Sequence, residues 1–168
     1  EFRKQHPISQ NTKLYLNLIE KLANWKIKKP NDFGYIDEVV FTGGGEPTVH
    51  KDYHKIIEYA IDQGFKVQMI TNGSKLDKLV EYLPLNKIKF IRWIGIDIDS
   101  ADFSTYEKIR KSKTTKSLLP KVEKNIKKAT DMGYVCDIKC LLMEENTSEV
   151  ELEKLFNFVI NTGANSLH

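Results

Sequence analysis

The stretch FTGGGEPT, residues 41–48, lies between a predicted strand and a predicted helix. The apolar run before it, at residues 36–41, is typical of a buried strand. The residues after it place apolar side chains at helical spacing over residues 53–61. Ligands in alternating α/β folds bind at the carboxyl ends of the strands, so this turn is a candidate binding site. Three glycines there leave no Cβ between a ligand and the backbone: Gly43, Gly44 and Gly45.

The same turn carries a single acid, Glu46, followed by Pro47. The proline restricts Glu46 to extended or turn geometry, and a carboxylate held there is placed to accept hydrogen bonds from a ligand cation. A glycine-rich turn with a solvated acid is the plainer interpretation. The spacing excludes the phosphate-binding loops, since neither G-x-x-x-x-G-K-S/T nor G-x-G-x-x-G fits residues 43–48.

The composition indicates one domain with a sizeable core over residues 1–168. Lys and Arg number 26 against 23 Asp and Glu, a surplus too small to indicate a nucleic-acid partner. Two cysteines, Cys136 and Cys140, are too few for a disulfide scaffold, and no stretch resembles a signal peptide or a membrane span. We therefore expect a cytoplasmic protein with reduced thiols and no membrane partner. A basic run at residues 111–116 is interpreted as a solvated loop.

Polar side chains end several predicted strands. Further strands are predicted at residues 66–71, 88–98 and 134–143, alternating with helices, and residues 165–168 open one more. This order predicts an α/β fold with parallel strands joined by right-handed crossovers. The strand ends carry Glu46, Thr71, Asn72, Asp97 and Asp99. In a curved parallel sheet these ends converge, which predicts a shared ligand site, although Asp99 is equally well explained as a cap of the following turn.

These motifs, taken in order, resemble those of the radical S-adenosylmethionine (SAM) enzymes. The resemblance rests on Gly-Gly-Glu-Pro at residues 44–47, Thr-Asn-Gly at 71–73, and Asp-x-Asp-Ser at 97–100 followed by Tyr106-x-x-Ile109-Arg110. It continues through Lys-Cys-Leu-Leu at 139–142 and Asn-Thr-Ser-Glu at 146–149, so that it covers roughly residues 36–160. It implies a partial (βα)6-type parallel barrel that is incomplete at both ends: the first strand and the cluster loop are missing, and the last strand is truncated.

The resemblance also implies two cofactors, SAM and a 4Fe-4S cluster. The family holds its cluster on C-x3-C-x2-C in the loop after the first strand, and this sequence contains no such motif. Cys136 and Cys140 have C-x3-C spacing, but they share one face of a late predicted strand and need no metal to explain them. We assign no metal ligand in this chain and expect the cluster ligands to lie outside it.

Roles for individual residues follow from the resemblance alone. The turn from Gly43 to Pro47, above all Glu46, would hold the methionine amine, and Asp97 would reach the ribose hydroxyls with Asp99 beside it. Thr71 and Asn72 would line the pocket. Lys139 or Arg110 would neutralise the methionine carboxylate, the alternative for Lys139 being a pair with Asp97 or Asp99. The adenine would lie near Leu141, Leu142 and Met143.

The implied reaction is reductive cleavage of SAM to a 5′-deoxyadenosyl radical that abstracts hydrogen from an unidentified small-molecule or peptide substrate. An electron donor such as flavodoxin or ferredoxin would be a partner, and no catalytic side chain is assigned. Two other classes remain open. In the first, the chain is a degenerate, cluster-less domain with a binding or partner role; in the second, it is an unrelated βα-barrel enzyme for an amino-acid-like ligand.

Overall fold

Strands and helices alternate along most of the chain in a computed structural model that describes residues 11–29, 32–110 and 118–168. The basic run predicted at residues 111–116 lies outside the described residues. No helix within those described ranges is long and apolar enough to cross a membrane. The helices are α1 (Thr12–Ala23), α2 (Tyr53–Asp62), α3 (Asp77–Tyr82), α4 (Phe103–Arg110), α5 (Leu119–Asp131) and α6 (Glu149–Thr162). The strands are β1 (Lys26–Lys29), β2 (Asp32–Tyr35), β3 (Glu38–Phe41), β4 (Lys66–Thr71), β5 (Ile91–Asp97), β6 (Cys136–Lys139) and β7 (Ser166–Leu167).

The main sheet has five strands in the order β3-β4-β5-β6-β7, and every neighbouring pair is parallel. Each strand therefore pairs with the next one along the chain, which is the connectivity of a barrel wall rather than of a doubly wound sheet. The α/β class with parallel strands, predicted from the sequence, is confirmed. Because the strands run in one direction, their carboxyl ends all lie at one edge, where the polar residues were predicted to meet.

One face of the sheet is packed against helices and the other is open. Along β4, Val67, Met69 and Thr71 are buried, while the residues between them are partly exposed. This period of two places the buried set against the helices and the partly exposed set on the opposite face. The core between sheet and helices includes Ile57, Ala60, Val67, Met69, Ile94, Ile96, Val122, Ile126 and Ile138. Burial of each of the valine, isoleucine and methionine side chains in this set contributes about 1.5–3 kcal/mol.

Two predicted strands are shorter than the sequence indicated. Residues 88–98 were predicted as one strand, but a 3-10 turn occupies Leu85–Phe90 and β5 begins only at Ile91. An apolar run of this length does not by itself distinguish a strand from a helical turn. The strand predicted at 134–143 is confined to Cys136–Lys139, and Leu141 beyond it is 68% exposed.

The antiparallel hairpin of β1 and β2 was not predicted. Its pairing runs from Lys26 opposite Tyr35 to Lys29 opposite Asp32. The sequence predicts no strand before residue 36, because a lysine-rich run followed by Pro30 and Asn31 is typical of a turn. Backbone pairing across the two strands provides order that side-chain periodicity does not reveal.

Candidate functional site

Glu46 joins the carboxyl ends of β3 and β4. Its Oε1 accepts hydrogen bonds from Thr48 N at 3.0 Å, Thr48 Oγ1 at 2.6 Å and Thr71 Oγ1 at 2.6 Å. Its Oε2 accepts one from Asn72 N at 2.7 Å. The side chain also caps the 3-10 turn Pro47–Val49, whose first residue is a proline with no N–H to satisfy. The glycine-rich turn is thereby fixed to the neighbouring strand.

The acceptor capacity of Glu46 is used unevenly. A carboxylate offers about four lone-pair sites in all, about two on each oxygen. Oε1 already receives three donors and Oε2 receives one from the described residues. The half-buried carboxylate therefore retains an acceptor site on Oε2 for a further donor.

The three glycines before Glu46 face open space. A Cβ added to Gly43, Gly44 or Gly45 would meet no atom within 4 Å, and all three residues are exposed. Gly43 alone requires glycine for its conformation, since its φ is 140°. A ligand can therefore approach this backbone without displacing any side chain.

Thr71 was predicted to line the pocket, and this prediction is wrong. It is only 1% exposed, on the helix-facing side of β4. Its hydroxyl donates to Glu46 and accepts from Gly73 N at 3.1 Å, so Thr71 positions the glutamate from the buried side of the strand. Asn72, the next residue, is partly exposed and lines a cavity of about 190 Å³ together with Arg110.

Asp97 and Asp99 lie together at the end of β5, and Arg110 from α4 reaches both residues. Its Nη2 donates to the Asp97 carbonyl oxygen and lies 3.3 Å from Asp99 Oδ2. Asp99 Oδ1 accepts from Leu141 N at 3.2 Å, which connects β5 to the chain beyond β6. Asp99 therefore bridges three elements instead of capping the turn that follows it.

The Asp97 side chain is the carboxylate at this edge with no hydrogen-bond or ion-pair partner among the described residues. Burial raises the pKa of Asp97 above its ordinary value, Arg110 lowers it, and the negative charges of Asp99 and Glu46 raise it further. Glu46 is thus close enough to Asp97 for its charge to matter, although the two residues follow different strands. The ends of β3 and β5 therefore lie near each other, as expected for a curved parallel sheet.

A cleft of about 440 Å³ opens beside these acids. Its lining comes from the ends of β5, β6 and β7 and from α4, and it combines two acids, three basic side chains, a cysteine and a leucine. The residues are Asp97, Asp99, Arg110, Lys139, Cys140, Leu141 and His168. Such a mixture suits a ligand that carries both charges and an apolar or aromatic part.

Lys139 does not pair with either aspartate, although it was predicted to do so if it did not bind a ligand. Its Nζ lies 5.1 Å from the centre of the Trp93 ring. The ammonium forms no ion pair with the described carboxylates. The sequence offered no signal for this contact, because Trp93 and Lys139 lie on different strands.

Asn146 holds the end of β5 against the end of β6. Its Nδ2 donates to Asp99 O at 2.6 Å and to Leu141 O at 2.9 Å, and its Oδ1 accepts from Met143 N at 2.7 Å. The residue is 3% exposed. It belongs to the Asn-Thr-Ser-Glu motif, but its positioning role follows only from the structure.

The two cysteines do not fit an iron–sulfur cluster. Cluster binding needs thiolates. Burial raises the pKa of Cys136 to about 12, and burial also raises the pKa of Cys140. Cys136 is completely buried on the helix-facing side of β6, and the described residues contain no group of three His, Cys, Asp or Glu side chains that could hold a metal.

Comparison with known proteins places these features in a family. The model of the radical SAM superfamily matches residues 9–157. An S-adenosylmethionine-dependent nucleotide dehydratase of Selenomonas ruminantium is 37% identical over 86 residues, covering 50% of this chain and 31% of that protein. A probable GTP 3',8-cyclase of Sulfurisphaera tokodaii is 33% identical over 127 residues, covering 74% of this chain and 38% of that protein. The chain thus spans less than half the length of these two relatives.

Solved structures share the fold at low sequence identity. Archaeal TYW1 has a TM-score of 0.59 and 14% identity, and the match covers 91% of this chain and 50% of that one. A domain of a pyruvate-formate lyase-activating enzyme from Bacteroides vulgatus has a TM-score of 0.53 and 20% identity, with 73% of this chain and 71% of that one covered. From the family match over most of its length, the chain belongs to the radical SAM superfamily.

Proposed function

We propose that this chain is the core of a radical SAM enzyme and that it binds SAM across the carboxyl ends of β3, β4, β5 and β6. The observation that carries the proposal is the meeting of charged groups from separate strands at one edge. Glu46 is hydrogen-bonded to the end of β4, and its negative charge raises the pKa of Asp97 at the end of β5. Arg110 and the exposed Leu141 lie at the same cleft.

Each part of SAM has a complementary group in this arrangement. The amine would be held by the free acceptor site on Glu46 Oε2 and by carbonyls of the exposed glycine turn. The ribose hydroxyls would donate to Asp97, which has no other side-chain partner among the described residues. The methionine carboxylate would face Arg110, and the adenine would lie on Leu141. Of the two cations named from the sequence, we retain Arg110 for the carboxylate, because it is held at the strand ends by Asp99.

The cluster is not assigned to residues of this chain. The family's 4Fe-4S cluster needs cysteine thiolates, and Cys136 and Cys140 do not fit it, so its ligands would have to come from elsewhere in a longer protein. When bound and reduced, SAM supplies a 5′-deoxyadenosyl radical for hydrogen abstraction. This chain's residues contribute binding and orientation of the cofactor. Two relatives are named for reactions on nucleotides, which makes nucleotides the first substrates to screen.

Calorimetric titration with SAM tests the binding part of the proposal. The variant Asp97→Asn loses charge-assisted hydrogen bonds worth about 1.5–3 kcal/mol, so its affinity should fall about tenfold or more. The matched control Asp131→Asn changes an exposed acid at the end of α5 and should leave the affinity unchanged. Equal losses in the two variants, or no binding by the unmodified chain, would refute the proposed site.

A second experiment separates an enzyme from a degenerate binding domain. In a protein that includes this chain and carries a reconstituted cluster, reduction with dithionite should release 5′-deoxyadenosine from SAM. Binding of SAM without any 5′-deoxyadenosine would support the degenerate alternative.

A further inference from the structure

Lys139 lies on the open face of the sheet with an unusual packing arrangement. Its side chain passes over Gly95, where an added Cβ would lie 2.7 Å from Lys139 Cε and would collide with the Trp93 ring. Its Nζ then lies 5.1 Å from the centre of that ring. Gly95 therefore provides the space in which the lysine and the tryptophan meet. A cation–π contact of this kind contributes about 0.5–2 kcal/mol.

The lysine is directed away from the strand ends. Asp97 pairs with Lys139 in the register of β5 and β6, and Gly95 pairs with Asp137. Trp93 lies four residues before Asp97 on β5, which corresponds to about 13 Å along the strand. The Lys139 ammonium is consequently drawn from the level of Asp97 towards the level of Trp93, deeper on the open face than the proposed SAM groups.

No carboxylate among the described residues forms an ion pair with Lys139, although the lysine's charge lowers the pKa of Asp97. Asp99 is paired with Arg110. Asp137 accepts a hydrogen bond from Ser166 Oγ at 2.6 Å and lies 4.0 Å from His168 Nε2. Asp97 lies in register with Lys139 but forms no ion pair with it. The three N–H donors of the ammonium thus have no acceptor among the described residues.

We propose that Lys139, held by Trp93 and Gly95, binds an oxyanion of the substrate, a phosphate or a carboxylate, beside the SAM site. This names the substrate class of the proposed enzyme and rests on that function, since SAM is taken to occupy the strand ends. A cation with unused donors, fixed at the side of a 440 Å³ cleft, can pair with such an anion at little further entropic cost. Lys139 is then a specificity-determining residue rather than a ligand of SAM.

Tryptophan fluorescence can report this site directly. The sequence has two tryptophans, and Trp25 is 60% exposed, so Trp25→Phe leaves Trp93 as the single reporter beside Lys139. The chain would be titrated at constant ionic strength with tripolyphosphate and, separately, with malonate. We expect a saturable change in Trp93 emission with at least one of them. Lys139→Gln should weaken it about tenfold or more, and Lys139→Arg should retain it.

The control is Lys127→Gln, which removes an exposed lysine on α5 and should not alter the titration. A response to tripolyphosphate alone supports a phosphorylated substrate, and a response to malonate alone supports a carboxylate. A response to both supports the shared oxyanion chemistry. No saturable response, or equal affinity in Lys139→Gln with an unchanged circular dichroism spectrum, would overturn the inference.

A second variant, Gly95→Ala, should also weaken the response, because it displaces the lysine without removing its charge. An unaltered titration in this variant would contradict the contact of Lys139 with Gly95 and Trp93.

Calorimetry with SAM on the unmodified chain keeps the two hypotheses apart. A chain that binds SAM but shows no anion response overturns this inference alone. A chain that responds to anions through Lys139 but binds no SAM refutes the proposed function and supports the anion site.

Discussion

Glu46→Gln should destabilise the fold even in the absence of any ligand. The glutamate accepts four hydrogen bonds: two from Thr48 within its own turn, and two from Thr71 and Asn72 that join the glycine-rich turn to the end of β4. Glutamine must place an NH2 group at one of the two oxygen positions. At the Oε2 position, this group would face the N–H of Asn72, now 2.7 Å away, so a donor meets a donor. At the Oε1 position, it would disturb three bonds.

The expected loss of stability is that of the glutamine orientation that breaks fewer hydrogen bonds, with the NH2 group at the Oε2 position. Loss of one hydrogen bond to a charged group costs about 1.5–3 kcal/mol, and the remaining bonds become weaker once the charge is removed. The matched control is Glu58→Gln on α2. Glu58 forms one ion pair with Lys87 at 2.8 Å, and Lys87 keeps a second partner in Asp62 at 2.7 Å. Loss of this partly exposed pair should cost only about 0.2–1 kcal/mol.

Urea unfolding, followed by circular dichroism, measures both free energies of unfolding. We expect Glu46→Gln to lower the value by clearly more than Glu58→Gln, with an unchanged m-value. If the free energies of unfolding of the two variants differ by less than about 0.5 kcal/mol, the hydrogen bonds of Glu46 do not stabilise the turn.

Three further predictions concern other parts of the molecule. Asn146→Ala removes the hydrogen bonds to the carbonyl oxygens of Asp99, after β5, and Leu141, after β6, and a local one from Met143 N, and should lower the free energy of unfolding by about 2–4 kcal/mol; a loss below about 1 kcal/mol would contradict the bridging role. Burial lowers the pKa of His54 below its ordinary value of 6.5, as do Lys55 and Lys78, while Asp52 and Glu58 oppose this. The unfolded chain then takes up the proton first, so stability should fall as the pH drops below about 6.5. His54→Phe should reduce that fall, measured by urea unfolding at pH 7 and pH 5.5, and an identical pH dependence would exclude His54 as its source. Residues 1–168 alone should assemble no iron–sulfur cluster; a cluster absorption band after anaerobic reconstitution would contradict the interpretation of the two cysteines.

The parallel order of the strands could be predicted from the sequence because each strand carries a local signal. Apolar runs that end in Gly-Gly-Gly, Asn-Gly or Asp-x-Asp mark both a strand and its carboxyl end. The ends of β5 and β6 were predicted less well. Leu141 is apolar but exposed, and the apolar Ile88 and Phe90 lie in a 3-10 turn, so hydrophobicity alone does not set these boundaries.

The partners of the site residues could not be predicted, since they depend on contacts between distant segments. The sequence placed Glu46 and Thr71 at the same edge, yet only the structure assigns Thr71 to the support of Glu46. The choice of Arg110 rather than Lys139 as the partner of Asp99 depends on the space left by Gly95, which lets the lysine lie over Trp93. Such competition between side chains has no signature in residue spacing.

An NMR titration of the 19.4 kDa chain with SAM shows whether the ends of β3, β4, β5 and β6 form one SAM-binding pocket. For a shared pocket, we expect the shifted amides to lie at Gly43, Gly44 and Gly45, at Asn72, and at Asp97 and Leu141, while amides of the outer helix α5 stay unchanged. Shifts confined to any one of these strand ends, or located away from all of them, would contradict a shared pocket.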